Sequence, residues 1–244
     1  MTREHVIPSF AYSLQRTASE KPLGWSEPAN KMVGGEMKVK DVCEACNSGV
    51  LSLLDRYGKE LLQSAGVLVL DFPHRSLTLR YNYDQLARWL LKISFNSART
   101  DGVHSPIFEE YIPYMLGRAS TPSRSKLAML SYLAAPEKLK TSDEAMDVSN
   151  PFIVRISYGL HNDYYTMRIV GFGPLFFFLL IFRNDILPGH AAAAIRRVLK
   201  DQPGATEMKP AQTYARLFSG PSTWLDLYKV QIARTQYAMR DWNS

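Results

Sequence analysis

The chain has 244 residues, of which 46% are hydrophobic and 21% are charged. This is the composition of an ordinary globular protein and argues against long disordered segments. The 29 Lys and Arg residues outnumber the 23 Asp and Glu residues, which gives a formal net charge of +6. This excess permits binding to a polyanion such as nucleic acid but does not require it. The two cysteines are too few for a secreted disulfide framework and favour a reducing cytoplasm.

The N-terminal sequence MTREHVIPSF lacks the apolar segment of a signal peptide. The most hydrophobic run, residues 169–182, is interrupted by Gly171, Gly173 and Pro174. It is also shorter than the roughly 20 apolar residues that a membrane-spanning helix needs. We therefore expect a soluble, cytoplasmic protein with no membrane partner.

The N-terminal part of the chain is predicted to contain few regular elements. Prolines and the Gly34-Gly35 pair interrupt residues 1–35, which we expect to be irregular. Residues 38–42 alternate between apolar and polar side chains and predict a short strand. Leucines at helical spacing then predict a helix over residues 49–64.

The remaining chain predicts a mixture of strands and helices. Residues 67–70 and 77–81 flank a turn and predict a hairpin. Asp84 is the expected N-cap of a helix over residues 85–99. The later predicted elements are a bent helix over 107–116, a strand over 126–134, a three-stranded antiparallel meander over 152–158, 164–170 and 175–182, and helices over 189–200 and 222–241. This order favours an α+β fold.

Two short segments contain residue types that suit phosphodiester hydrolysis: EHVIP at positions 4–8 and VCEACN at positions 42–47. Such a reaction needs a base that deprotonates water and a divalent cation that neutralises charge on the phosphate. A carboxylate beside an imidazole, here Glu4 beside His5, can serve both needs. An oxygen ligand from the start of the next helix, Asn47, would complete a small site for a hard cation such as Mg²⁺.

In this order, the two segments resemble the motif of the HNH endonuclease family. In that family an acidic residue and a histidine on one strand precede a second short strand and a C-x-x-C-[HN] run that opens a helix. The resemblance covers about residues 1–60, and a weaker likeness extends to residues 87–92. It implies that His5 is the general base and that Glu4 and Asn47 hold Mg²⁺ or Mn²⁺. It also implies that the substrate is nucleic acid, DNA in preference to RNA.

The same resemblance implies a division of the chain into two parts. Residues 1–65 would form an HNH-like ββα-metal module. Residues 66–244 would form a larger α+β domain with an antiparallel sheet, several helices and an accessory role in binding substrate or a protein partner.

The sequence also departs from the family pattern at two places. Members of this type often carry another CxxC upstream, so that four cysteines hold a structural zinc, whereas three residues precede Glu4 here. Cys43 and Cys46 alone cannot form a Cys₄ site, so a structural Zn²⁺ is disfavoured. The asparagine that orients the base in the family is replaced by Lys38, and Asn30 is the nearest upstream substitute.

Each candidate residue has a structural alternative. Glu4 and His5 could be surface residues near a terminus, Asn47 could be a helix N-cap, and the two cysteines could be small buried residues that pack the helix start. Three hypotheses follow: a metal-dependent endonuclease, a catalytically degenerate relative that binds nucleic acid or a protein, and an unrelated binding module whose motif is accidental.

Overall fold

The structure is a computed structural model that describes residues 1–18, 23–26, 31–34, 36–101, 105–137, 150–227 and 229. Its strands are β1 (Thr2–His5), β2 (Leu23–Ser26), β3 (Lys31–Gly34), β4 (Lys38–Val42), β5 (Ser76–Arg80), β6 (Leu127–Ala135), β7 (Val154–His161), β8 (Tyr165–Phe172), β9 (Leu175–Phe182), β10 (Thr206–Met208) and β11 (Tyr214–Thr223). Its helices are α1 (Ser9–Ala18), α2 (Glu44–Cys46), α3 (Ser52–Ser64), α4 (Tyr83–Asp101), α5 (Ile112–Met115) and α6 (Pro188–Asp201).

Two further helical turns connect these elements. A wide π-type turn, Asn47–Leu51, joins α2 to α3, and a 3₁₀ helix, Ser105–Tyr111, precedes α5. Within the described part of the chain, no helix is both long enough and apolar enough to cross a membrane.

The central layer is a seven-stranded mixed sheet in the order β5-β11-β6-β9-β8-β7, with β10 also paired to β6. The strands β7, β8 and β9 form the predicted antiparallel meander. β11 runs parallel to β6 and antiparallel to β5. The structure thus confirms an α+β fold with a mixed, mainly antiparallel sheet and several helices.

The sheet is covered on both faces at its centre. On one face α4 packs against β8, and the Trp89 and Phe172 rings stack with centroids 5.2 Å apart. On the other face Ile195 and Val198 of α6 share a cluster with Phe178. Every residue of β6 and β9 is therefore buried, which explains why both strands appear in the sequence as continuous apolar runs.

A smaller unit is built around β1 and β4, which pair antiparallel and are followed by α2, the π-type turn and α3. This strand–strand–helix order is the one that the resemblance implies, and its assignment as a ββα-metal module stays a prediction. Leu54 and Leu61 of α3 belong to the same core cluster as Leu86 of α4. The core is thus continuous across the predicted boundary between residues 65 and 66.

Three local predictions are wrong. The described part of residues 1–35 is not irregular but contains β1, α1, β2 and β3, and one side of α1 is buried in the core. The predicted hairpin does not form: residues 67–70 are not a strand, and β5 pairs with β11 instead. The cap of α4 is Asn82 rather than Asp84, since the Asn82 Oδ1 accepts a hydrogen bond from the Gln85 N–H at 3.0 Å.

The predicted C-terminal helix can be compared only at its start. β11 extends to Thr223, and helical residues begin at position 224. Most of the predicted range 222–241 lies outside the described residues.

Candidate functional site

The three residues that the motif singles out line one open cleft with a volume of about 710 Å³. Glu4 and His5 come from β1, and Asn47 comes from the π-type turn. The pairing of β1 with β4 is irregular between Thr2 and Glu4. A distortion of this kind re-aims side chains, which allows neighbouring residues of a strand to border the same cleft.

The opposite wall of the cleft belongs to α3 and carries both signs of charge. Asp55, Arg56 and Lys59 all line it, and both Arg56 and Lys59 are exposed. Two cations on one wall provide an attractive surface for phosphate groups.

Asn47 connects the π-type turn to β1. Its Nδ2 donates hydrogen bonds to the Thr2 Oγ1 at 3.0 Å and to the Arg3 carbonyl oxygen at 3.1 Å. These bonds leave the amide oxygen without a partner among the described residues. The alternative role of Asn47 as the N-cap of the following helix is wrong, because Leu51 occupies that position in α3 and Asn47 is the C-cap of α2.

A carboxylate holds the imidazole of His5 in place. The His5 Nε2 lies 2.9 Å from the Glu36 Oε2, and Glu36 also pairs with Arg16 and, at 2.8 Å, with the Lys38 Nζ. The hydrogen bond from Lys38, followed by that from His5, lowers the pKa of Glu36 to about 2. Glu36 is therefore a carboxylate at any pH near neutrality.

Sequence reasoning missed Glu36 as the partner of His5. Of the two substitutes considered for the missing asparagine, Asn30 lies outside the described residues, and Lys38 contacts Glu36. The available signal was the position of Glu36 in the sequence. Lys38 pairs with His5 across the two strands, and Glu36 lies two residues before Lys38.

The backbone around His5 is also anchored. Asn96, a buried residue of α4, donates from Nδ2 to the His5 carbonyl oxygen at 3.0 Å. The Tyr12 hydroxyl accepts a hydrogen bond from the Met37 N–H at 2.9 Å, and burial raises the pKa of Tyr12 to about 12. The Tyr12 ring lies 6.2 Å from the His5 ring. The end of β1 thus contacts α4 through Asn96 and α1 through Tyr12.

Glu4 is held by a buried lysine. Lys92 of α4 is 2% exposed, and its Nζ pairs with the Glu4 Oε1 and, at 2.6 Å, with the Asp55 Oδ2. The Asp55 Oδ1 accepts a hydrogen bond from the Trp89 Nε1 at 3.2 Å. The weaker likeness over residues 87–92 includes Lys92 but assigns it no role, and no spacing in the sequence connects it with Glu4.

The residues present fit a hard divalent cation in their chemistry. Glu4 and Asn47 offer carboxylate and amide oxygens, and the Glu4 Oε2 has no partner in the described part of the chain. Two carboxylates against one ammonium also leave the group with one formal negative charge. Among the residues that the structure describes, no three His, Cys, Asp or Glu side chains are grouped to hold a metal. Glu4 and Asn47 would therefore share the cation with water and phosphate oxygens, as is usual for Mg²⁺.

The two cysteines lie at the start of α2 as free thiols. Cys43 is exposed, so its alternative interpretation as a buried packing residue is wrong, whereas Cys46 is partly buried against the core. The Cys43 Sγ accepts a hydrogen bond from the Cys46 N–H at 3.2 Å. A hydrogen bond between the two thiols lowers the pKa of Cys43 and raises that of Cys46. Their role as ligands of a structural metal stays a prediction.

Comparisons with known proteins assign no family to the chain. No protein-family model matches it, and no curated protein or solved structure matches it either. The interpretation of the cleft therefore depends on its geometry and on the residues that line it.

Proposed function

We propose that the chain is a metal-dependent endonuclease that hydrolyses phosphodiester bonds of DNA in the cleft between β1 and α3. One observation carries this proposal: Asn47 lies far along the sequence from the adjacent residues Glu4 and His5, yet all three residues that the motif selects for this chemistry line the same cleft. RNA is the second substrate to test.

In this mechanism His5 is the general base. The Glu36 carboxylate accepts the Nε2–H of the imidazole, so Nδ1 is the nitrogen that is left to take a proton from water. The same carboxylate stabilises the imidazolium that forms when the proton is taken. Glu36 is thus a positioning residue that fixes the tautomer and the orientation of the base.

The other residues of the cleft bind and orient the substrate. A divalent cation bound by Glu4 and Asn47 would neutralise charge on the phosphate. Arg56 and Lys59 on the α3 wall bind the neighbouring phosphates of the strand. The buried Lys92 holds the Glu4 carboxylate at the cleft through their ion pair.

The test compares the wild-type protein with His5→Ala and with a matched control, His190→Ala, which removes an exposed histidine at the start of α6. Each protein is incubated with supercoiled plasmid and Mg²⁺, Mn²⁺ or EDTA. We expect cleavage by the wild type and the control, none in EDTA, and a loss of about 10²- to 10⁴-fold in the rate for His5→Ala. Thermal unfolding monitored by circular dichroism shows whether the variants are folded. Undiminished cleavage by folded His5→Ala would contradict the mechanism.

One observation favours a second candidate, a protein that binds nucleic acid or a protein partner without cleaving. The Lys92 ammonium already pairs with Glu4, so this carboxylate has a cation without a bound metal. Calorimetric titration with Mn²⁺ separates the two candidates. The nuclease requires binding that Glu4→Gln removes, whereas the non-catalytic protein would bind duplex DNA in a salt-dependent way and show no such Mn²⁺ binding.

A further inference from the structure

One end of the central sheet has a face that no described element covers. Along β11, Ala215 and Leu217 are buried, while the alternating residues Tyr214, Arg216 and Phe218 are exposed. The exposed fractions of Tyr214, the first residue of β11, and of Phe218 are 63% and 61%, which are large values for aromatic side chains of a sheet strand.

The neighbouring strand β5 extends the same face. Its residues Ser76, Thr78 and Arg80 are exposed, whereas Leu77 and Leu79 are buried. In the register of the two strands, Phe218 lies opposite Ser76, Arg216 opposite Thr78, and Tyr214 opposite Arg80. We call these six exposed residues the aromatic face. Neither β5 nor β11 contains an acidic residue.

The composition of this face matches the chemistry of a single strand of nucleic acid. Tyr214 and Phe218 are four residues apart on one strand, about 14 Å, which places the two rings under separate bases. Arg216 lies between them and Arg80 beside Tyr214, where their guanidinium groups can pair with phosphates. The small hydroxyl side chains of Ser76 and Thr78 leave the rings accessible from above. Flat sheets with exposed aromatic residues bind unpaired bases by stacking.

The aromatic face is separate from the cleft. Leu77 and Leu79 point into the core that also contains Leu54 and Leu61 of α3. Because side chains alternate along a strand, the aromatic face lies on the other side of β5 from α3, which carries one wall of the cleft.

We propose that the aromatic face binds single-stranded DNA or RNA by base stacking on Tyr214 and Phe218, with Arg80 and Arg216 on the phosphates. This proposal rests on the proposed function for the class of partner, and it adds a second site that captures an unpaired strand away from the cleft.

The test measures binding of a fluorescein-labelled (dT)₂₀ oligonucleotide by fluorescence anisotropy in EDTA, where metal-dependent cleavage cannot occur. The variant is Tyr214→Ala with Phe218→Ala, and the matched control is Tyr164→Ala, which removes an aromatic residue that is 51% exposed at the β7–β8 turn. We expect the double variant to raise the Kd at least about 10-fold, because it removes both rings on which bases would stack. Tyr164→Ala should stay within twofold of the wild type.

Two further variants identify the kind of binding. The variant that combines Arg80→Gln with Arg216→Gln should bind the oligonucleotide more weakly. The slope of its log affinity against log salt concentration should also be shallower, by the amount expected for the loss of about one to two phosphate contacts. Phe218→Trp should preserve binding, because indole also stacks on bases.

Several outcomes would overturn the proposal. The aromatic face does not bind single strands if the wild type fails to bind (dT)₂₀, or if the double variant binds it as well as the wild type does. If light scattering shows that the double variant loses a dimer while its affinity for (dT)₂₀ is unchanged, the face is a self-association surface. Failure of the nuclease proposal would appear separately, as absent plasmid cleavage with oligonucleotide binding intact.

Discussion

Two charged clusters meet at neighbouring residues of β1, and they differ in burial and in the sign of their central group. In the buried cluster, the ammonium group of Lys92 forms ion pairs with the carboxylates of Glu4 and Asp55. In the other cluster, which we call the rim cluster, the carboxylate of Glu36 contacts the basic side chains of His5, Arg16 and Lys38.

The difference in burial determines how much stability each cluster loses when its central charge is removed. The side chains of Lys92 and Glu4 are 2% and 6% exposed, so removal of the Lys92 charge leaves a Glu4 carboxylate that water cannot easily solvate. The Glu36 side chain is 21% exposed, and its partners are more exposed still, so water can replace it. We therefore expect the buried cluster to determine stability and the rim cluster to adjust the chemistry of His5.

The largest effect on stability should come from Lys92→Met. This change keeps an unbranched side chain of similar length but removes the cation that Glu4 and Asp55 share, so we expect the free energy of unfolding to fall by about 3–5 kcal/mol. Urea unfolding at neutral pH measures it. Lys59→Met, which removes an exposed lysine from the same cleft, is the control and should change stability by less than about 0.5 kcal/mol. A loss below that of the control would show that the buried cluster is not structural.

A smaller loss should follow from Gly58→Ala in α3. A Cβ at this position would lie 2.1 Å from the Trp89 Cε2, so the ring that donates to Asp55 must move. Such overpacking costs about 1–3 kcal/mol. At Gly189 in α6 a Cβ meets nothing within 4 Å, so Gly189→Ala should leave stability unchanged or increase it slightly. Equal effects of the two substitutions on the thermal midpoint would contradict this close packing.

The smallest effect should come from Glu36→Gln, with a loss of less than about 1 kcal/mol at neutral pH. The folded protein lowers the pKa of Glu36 from 4.5 to about 2, so its stabilising contribution is complete above pH 4.5 and disappears as the pH falls through about 2. The stability difference between wild type and variant should therefore shrink over that interval.

Urea unfolding at several pH values between 7 and 2 tests this pH dependence. Glu44→Gln, which removes an exposed carboxylate from α2, is the matched control. The proposed link between Glu36 and the three basic side chains would be wrong if the deficit of Glu36→Gln were the same at both ends of the range.

The sequence predicted the parts of the fold whose signals are local. The meander of β7, β8 and β9 was predictable because its strands are consecutive, and α4 because its apolar residues recur at helical spacing. The partner of β5 was not predictable, since β11 lies far along the chain and nothing in the residues that follow α3 indicates it.

The site likewise contains residues that the sequence predicted and residues that it did not. Glu4, His5 and Asn47 belong to short motifs, and the structure brings them to one cleft. Glu36 and Lys92 belong to no motif of defined spacing, and charged residues of this kind are normally solvent-exposed. Only the tertiary contacts of Glu36, just before β4, and of Lys92 in α4 show that these two residues hold the motif residues in place.

The helix α4 supplies Trp89, Lys92 and Asn96, which are spaced so that they share one face of a helix. Through them it reaches Asp55, Glu4 and the carbonyl group of His5. The motif residues thus depend on a helix that begins well after the motif ends. A fragment that carries the motif alone would lack the groups that neutralise and orient it, so the site could be transplanted to another protein only together with α4.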